Sequence, residues 1–298
     1  MAGKQWLSPL LLLDKGVEGL VMRELRLPRA AIGLLVGAVL GASGAVLQGY
    51  LRNPLAEPGV IGVSATAALG AVLAIFLGAQ GSTLAVAASG MAFAALAIAL
   101  LALLAGGSPL QLILAGIVLA SLSAALTSLL ISLAPTPFAL GEIVTWLMGA
   151  LTDRSLADLA LLAPPAFLAL ALLMAAGRAL DALALGEEVA ASLGVDPGRT
   201  RLLVVAGVGL GVGASVAITG VISFVGLIVP HLLRPLFGDM PSRLILPSAI
   251  GGAILVLVAD SLVRLVPGAA ELKLGIAMAL IGAPFFLLLL WRERGRLA

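Results

Sequence analysis

The chain contains no cysteine and a single histidine, His231. Without thiols there is no disulfide, no thiolate nucleophile and no iron–sulfur ligation, and one histidine with no polar cluster near it supplies no transition-metal site. Charge is nearly as scarce. Acidic and basic residues make up 11% of the 298 residues, against about 25% in soluble domains. From Gly59 to Gly141 there is none at all. The formal charge of +2 is set by a few arginines in a nearly uncharged chain, so it supports no nucleic-acid partner. The lysines are Lys4, Lys15 and Lys273, and none lies in a Gly-x-x-x-x-Gly-Lys-Ser/Thr loop, so the chain carries no ATP site of that kind. No acid, base and nucleophile cluster together. The reading is therefore of a chain without catalytic residues, metal ligands or a cofactor of its own.

What fills the sequence is apolar: 61% hydrophobic residues with a mean hydropathy of +1.20. The apolar residues run continuously rather than alternating, which favours membrane helices over a barrel, since a helix satisfies its own backbone in hydrocarbon. At roughly 20 residues per crossing, spans are expected near 29–51, 60–79, 83–105, 110–133, 157–178, 202–221, 223–237, 244–263 and 272–291. The segment 138–150 is too short to cross and carries Glu142, so it reads as an interfacial helix. The whole of 1–298 reads as one all-α, polytopic transmembrane domain.

The last span ends in Trp291-Arg-Glu-Arg-Gly-Arg, which the positive-inside rule places in the cytoplasm. Counting back, loops 52–58, 106–109, 179–201 and 238–243 face inside, and 1–28, 134–156 and 264–271 face outside. Leaving the N-terminal segment aside, nine Lys/Arg then lie inside (Arg52, Arg178, Arg199, Arg201, Arg234, Arg243, Arg292, Arg294, Arg296) against three outside (Arg154, Arg264, Lys273). Residues 1–28 are left outside with no span before them, and their short apolar run is no signal peptide. A first span is expected to be missing, as after a late start site.

Arg29, Gly37, Gly41, Ala42, Ser43, Ala45 and Pro58 recur as Arg201, Gly209, Gly213, Ala214, Ser215, Ala217 and Pro230 at an unbroken offset of 172 residues. Such matches also arise by chance in a Gly/Ala-rich chain. If they are a repeat, its halves enter from opposite faces, as inverted repeats of transporters do. The glycines of Gly33, Gly37 and Gly41, and of the ladder Gly207 to Gly213, are read as close-packing faces. His231 is read as a structural hydrogen-bonding group beside a Pro230 kink.

The polar island Asp181 to Arg201 stands apart. Leu185, Val189 and Leu193 recur every four residues, with Glu187 and Glu188 off the stripe, before a Gly194 stop and an Asp196-Pro197-Gly198 turn. A short amphipathic helix on one membrane face is a docking surface for another protein.

Several strings occur in one order: Leu25-Arg-Leu-Pro-Arg29, Ser43-Gly44 with Gln48, Arg52-Asn-Pro-Leu-Ala-Glu-Pro-Gly59, Leu185-Gly-Glu-Glu-Val-Ala-Ala-Ser-Leu-Gly194, Phe224-Val-Gly-Leu-Ile-Val-Pro-His231 and Leu280-Ile-Gly-Ala-Pro-Phe-Phe286. Together they resemble the permease subunits of binding-protein-dependent ABC importers for vitamin B12, iron–siderophores and haem. The resemblance runs from about Leu25 to Trp291. It implies a helical bundle of the B12-importer type with ten spans, against nine here, in the cytoplasmic (inner) membrane of a prokaryote. It also implies a homodimer, two ATP-binding subunits below and a periplasmic or lipid-anchored binding protein above.

Carried over residue by residue, Arg26, Arg29 and Arg264 resemble outward-facing arginines that meet carboxylates of the binding protein; alternatively they anchor helix ends, and Asp260 lies one turn before Arg264 to pair with it. Asn53 and Leu55 resemble one cytoplasmic constriction. Ser108, Pro109, Leu110 and on to Leu114 occupy the position of a second, although this string lacks the hydroxyl-rich run of the vitamin B12 permease. Leu185, Gly186, Glu187, Glu188, Val189, Ala190, Leu193 and Gly194 resemble the coupling helix that seats in the ATP-binding subunit. Iron–siderophore is the first choice of cargo because the family most often carries it, with cobalamin or haem as alternatives. In another class stands an ATP-independent secondary transporter, disfavoured because the mid-span positions hold almost no ionisable group.

Overall fold

The computed structural model describes residues 16–104, 108–266 and 272–297. Parts of three expected loops, 1–15, 106–107 and 267–271, lie outside the described residues. The rest is helical: α1 (Val17–Val21), a π-helical turn (Met22–Arg26), α2 (Leu27–Tyr50), α3 (Val63–Phe76), α4 (Thr83–Leu104), α5 (Pro109–Ser132), α6 (Pro137–Leu147), α7 (Leu156–Ala184), α8 (Glu187–Ser192), α9 (Pro197–Thr219), α10 (Val225–Phe237), α11 (Pro241–Val263) and α12 (Leu274–Leu297). Six of these stretches are long and apolar enough to cross a membrane, the first being the unbroken helical run Val17–Tyr50.

Three boundaries differ from expectation, each for a local reason. Residues 17–28, expected as an outside loop, continue the first helix outward. Pro28 has no N–H for the Glu24 carbonyl and its ring crowds that turn, and the preceding turn is widened to π. At the other face α7 runs on to Ala184, and α9 already starts at Pro197, where Asp196 caps it by accepting the N–H groups of Gly198 (2.8 Å) and Arg199 (3.3 Å). The polar island is thus the ends of two helices with α8 between them. Asp181, inside α7, accepts both the N–H (2.9 Å) and the hydroxyl (2.5 Å) of Ser242 and so holds the N-terminus of α11 against α7.

The third difference concerns the expected spans 60–79 and 223–237. The helices there have 14 and 13 residues, at 1.5 Å per residue about 20 Å, too short for a hydrocarbon core of about 30 Å. Each is preceded by a break in the α-helix that ends in a residue with left-handed φ: α3 by a 3-10 turn (Pro58–Ile61) and Gly62 (+75°), α10 by the irregular segment 220–223 and Phe224 (+68°).

Between helices in lipid, close approach of small residues does the work that hydrophobic burial does in water. The repeat read from sequence is a packing repeat. On α2, a Cβ added at Gly37 or Gly41 would strike the backbone of Gly252 or Ser248 on α11; on α9, one added at Gly209 or Gly213 would strike Ile98 or Ala94 on α4. The first helix of each half thus crosses the third helix of the other half antiparallel, through the same two glycine positions. α2 and α9 themselves run antiparallel: Gly211 meets Val39, and Arg201 lies within electrostatic reach of Tyr50. The halves therefore enter the bundle in opposite directions, and α2, with its surface almost wholly buried, forms the centre.

Gly37→Leu and Gly41→Leu should each destabilise the bundle by about 1–3 kcal/mol or more. Gly141→Leu, where nothing lies within 4 Å of an added Cβ, should leave the melting temperature in detergent unchanged. Equal melting temperatures for all three would refute the close crossing.

Candidate functional site

Three places carry polar groups that the packing alone does not need. The first is at mid-bundle. After α2 the chain turns at Arg52, whose φ is +48°, and the Asn53 N–H donates to the Gln48 carbonyl (3.1 Å). It then runs back along α2, with the Ala56 carbonyl accepting from Gln48 Nε2 (3.4 Å), until Pro58 lies against Gly226 beside Leu40 and Gly44. From the other face, 220–224 leads without regular secondary structure to the start of α10. The two re-entrant segments meet where the Phe224 N–H donates to Glu57 Oε1 at 2.5 Å.

Gln48 makes a second tie. Its Nε2 donates to the Gly226 carbonyl (3.2 Å) as well as to Ala56, and its Oε1 accepts from Arg234 (2.8 Å) on α10. A cavity of about 450 Å³ opens beside the junction, with Glu57, Ser64, Thr127, Ser128 and Ser223 as its polar wall. The Phe224 ring covers Gly282 on α12, which explains the glycine in Leu280-Ile-Gly-Ala-Pro. Glu57 was not singled out from sequence, because hydropathy puts it in a cytoplasmic loop. Its visible signals are its place in the string Arg52 to Gly59 and at the edge of the long charge-free run that follows.

Of the expected gate residues, Asn53 is exposed and its Oδ1 accepts the Leu55 N–H (2.9 Å), a side-chain turn that shapes the loop. Asn53 also borders a cavity of about 240 Å³ with Gln48, Arg52, Arg234 and Asp239. Ser108 caps α5 in a reciprocal box with Gln111, Pro109 takes the first helical position, and Leu110 and Leu114 begin an exposed apolar face continued by Ile117, Val118 and Leu122. α5 meets the re-entrant loop at Gly116, against Val60 and Ile61. Asn53 and Leu55 share none of the described cavities with 108–114.

The second place is the opposite end of α2. Asp260, 1% exposed, receives Arg29 through Nε and Nη2 (3.1 and 2.8 Å), and Arg264 through its own Nε (3.0 Å) and Nη2. Two guanidiniums, one from each of two antiparallel helices, thus share one buried carboxylate, and Arg26 lies near Arg264. The pairing of Asp260 with Arg264 was anticipated; that with Arg29, 231 residues away, was not. On the same face, burial lowers the Arg154 guanidinium from its ordinary value, against the pull of Asp158 and Asp153.

The third place is α8. Gly186 (φ +117°) and Gly194 (φ +79°) bound it, Ala190 is fully buried against the bundle, and Leu185, Val189 and Leu193 are 68%, 43% and 64% exposed. Glu187 and Glu188 occupy its first turn, where the helix dipole favours them. His231, by contrast, packs edge-on against Phe285, with ring centroids 6.0 Å apart. No group of three or more His, Cys, Asp or Glu able to hold a metal occurs among the described residues.

Against known proteins, the model of the FecCD transport family matches residues 1–292. A vitamin B12 import system permease protein, BtuC of Vibrio cholerae, is 46% identical over 151 residues, covering 50% of this chain and 44% of that protein. The Fe(3+) dicitrate transport system permease protein FecD of Escherichia coli is 42% identical over 153 residues, covering 50% and 47%. In these alignments the chain spans a little under half the length of the curated relatives. A solved metal-chelate-type ABC transporter in an inward-facing conformation is similar across 97% of this chain and 91% of its own, with 37% identity and a TM-score of 0.87.

Asp260→Ala leaves two arginines without their shared carboxylate and should destabilise the protein by about 3–5 kcal/mol. Replacing Arg29, Asp260 and Arg264 together by Met, Leu and Met should recover most of that loss. Thermal unfolding of both variants in detergent checks this, and a single variant as stable as the parent would contradict it.

Proposed function

The chain belongs to the FecCD transport family, and from that premise we propose that it is the membrane-spanning permease of an ATP-driven importer for a metal chelate. Iron–siderophore is the preferred cargo, with cobalamin or haem as alternatives. The observation that carries the ATP-driven reading is α8. A chain with no nucleotide loop of its own holds out a short helix whose buried side is alanine and whose exposed side is Leu185, Val189 and Leu193, the pattern of a helix that seats in a partner's groove.

In this reading the single domain 1–298 forms a homodimer that binds two ATP-binding subunits through α8 and a periplasmic or lipid-anchored binding protein through Arg26, Arg29 and Arg264. ATP-driven closure of the two ATPases pushes on α8 and, through the continuous helices α7 and α9 at its two ends, on the bundle. Asn53 and Leu55, with Ser108, Pro109, Leu110 and Leu114 on the neighbouring helix, close the cytoplasmic side of the pathway. Asp260 fixes Arg29 and Arg264 in place, and a guanidinium held at a rim is suited to receive a carboxylate from a docking protein. One observation favours the ATP-independent alternative: Glu57 is an ionisable group at mid-bundle, where coupling sites of secondary transporters lie.

Co-purification with the ATP-binding subunit in detergent tests the assignment, a two-plus-two complex with ATPase activity being expected. Leu185→Asp with Val189→Asp should abolish it without lowering the melting temperature, since both side chains are already exposed. Retained association would remove α8 from the interface. Arg26→Glu should weaken binding-protein affinity at least tenfold, while Arg29→Glu and Arg264→Glu should weaken it and also lower the melting temperature, because both contact Asp260. Unchanged affinity in all three would sink the docking role.

A further inference from the structure

The half-length helices α3 and α10 belong to opposite halves of the repeat, and each begins in mid-bundle at a left-handed residue, Gly62 or Phe224. The segments that lead into them come from opposite faces. They are joined by two side chains that flank the Asn53 to Leu55 turn, five residues before it and two after it: Gln48, which holds the Ala56 and Gly226 carbonyls, and Glu57, which holds the Phe224 N–H. Phe224 is a bulky residue at φ +68°, a conformation that its neighbours must maintain. The Glu57 carboxylate grips the N–H of that residue, while its ring is packed on Gly282.

We propose that Glu57 is a positioning residue: through its hydrogen bond to the Phe224 N–H it locks the cytoplasmic turn 52–57 to the outer segment 220–224, so that the two move as one piece. This rests on the permease reading above. The consequence is mechanical. A shift of the turn at Asn53 and Leu55 is delivered to the start of α10, and from there through Phe224 to α12, without a separate signal crossing the bundle. What the lock needs from Glu57 is an acceptor oxygen. A coupling role of the kind found in secondary transporters would need its charge instead.

The natural absence of cysteine makes the test direct. Ser223, next to the lock and lining the 450 Å³ cavity, is replaced by Cys in the full complex with the ATP-binding subunit. Its labelling by a maleimide is then compared between the nucleotide-free and the ATP–vanadate-trapped complex. With Glu57 in place, trapping should change the labelling rate. Glu57→Ala should lose that change while the complex still assembles and hydrolyses ATP; Glu57→Gln, which keeps the acceptor, should retain it. A trapped-state change that survives Glu57→Ala overturns the lock, and so does its loss in Glu57→Gln, which assigns the role to charge. Where Glu57→Ala does not assemble, Glu57→Gln alone decides by the same criterion. Absence of any complex or ATPase activity from the parent is a different failure, because it removes the permease reading itself.

Discussion

Backbone N–H and C=O groups at the depth of a hydrocarbon core must find partners within the protein, because there is no water to take them. Most of this chain meets that constraint by being helix. Where it is not, at 51–57 and 220–224, the cost of several kcal/mol per unsatisfied group is avoided with the help of two side chains, one buried and one half-buried. Gln48 lies within 3.5 Å of three backbone carbonyls, and Glu57 accepts the Phe224 N–H at the mouth of α10. The short helices, the cavity beside them and the close glycine contacts at Gly44 and Gly226 all lie at this junction. With either side chain missing, backbone groups at the breaks before α3 and α10 would lose a partner.

The same constraint explains which parts of the fold could be read from the sequence. The long helices α2, α4, α5, α7, α9 and α11 were expected within a few residues of where they lie, because each is one continuous apolar run of membrane length. The breaks were not, since Gly220-Val-Ile-Ser-Phe224 is as apolar as the helices around it and hydropathy cannot tell an extended apolar segment from a helical one. Pro28 stopped the reading of the first helix too early, because a proline can be accommodated by a π turn instead of an end. Arg178 and Arg201 likewise trimmed α7 and α9, since charge was taken for a membrane boundary when both helices project beyond it.

The candidate sites divide along similar lines. The Leu185, Val189, Leu193 stripe is local, with four-residue spacing, and its exposure follows directly from it. The Arg29–Asp260–Arg264 cluster joins residues far apart in sequence, and only the i to i+4 half of it was visible beforehand. Glu57 was hidden by its neighbours: Asn53, Pro54 and Pro58 announce a turn, and nothing in a turn says that its last residue has climbed back to the middle of the bundle. The repeat at offset 172 gained its meaning from packing, when the glycines of α2 and α9 were found to make corresponding contacts on α11 and α4.

The central proposal is that ATP, hydrolysed on a partner subunit, drives the passage of a chelate that a binding protein delivers. The most direct measurement is uptake into proteoliposomes carrying this chain and its ATP-binding subunit, with a ferric siderophore, cobalamin or haem presented on the binding protein. Uptake of one of these that requires enclosed ATP, and is indifferent to proton and sodium gradients, is the expected result. Uptake that proceeds without ATP when an ion gradient is imposed would contradict the account and turn Glu57 into the coupling site of a different kind of transporter.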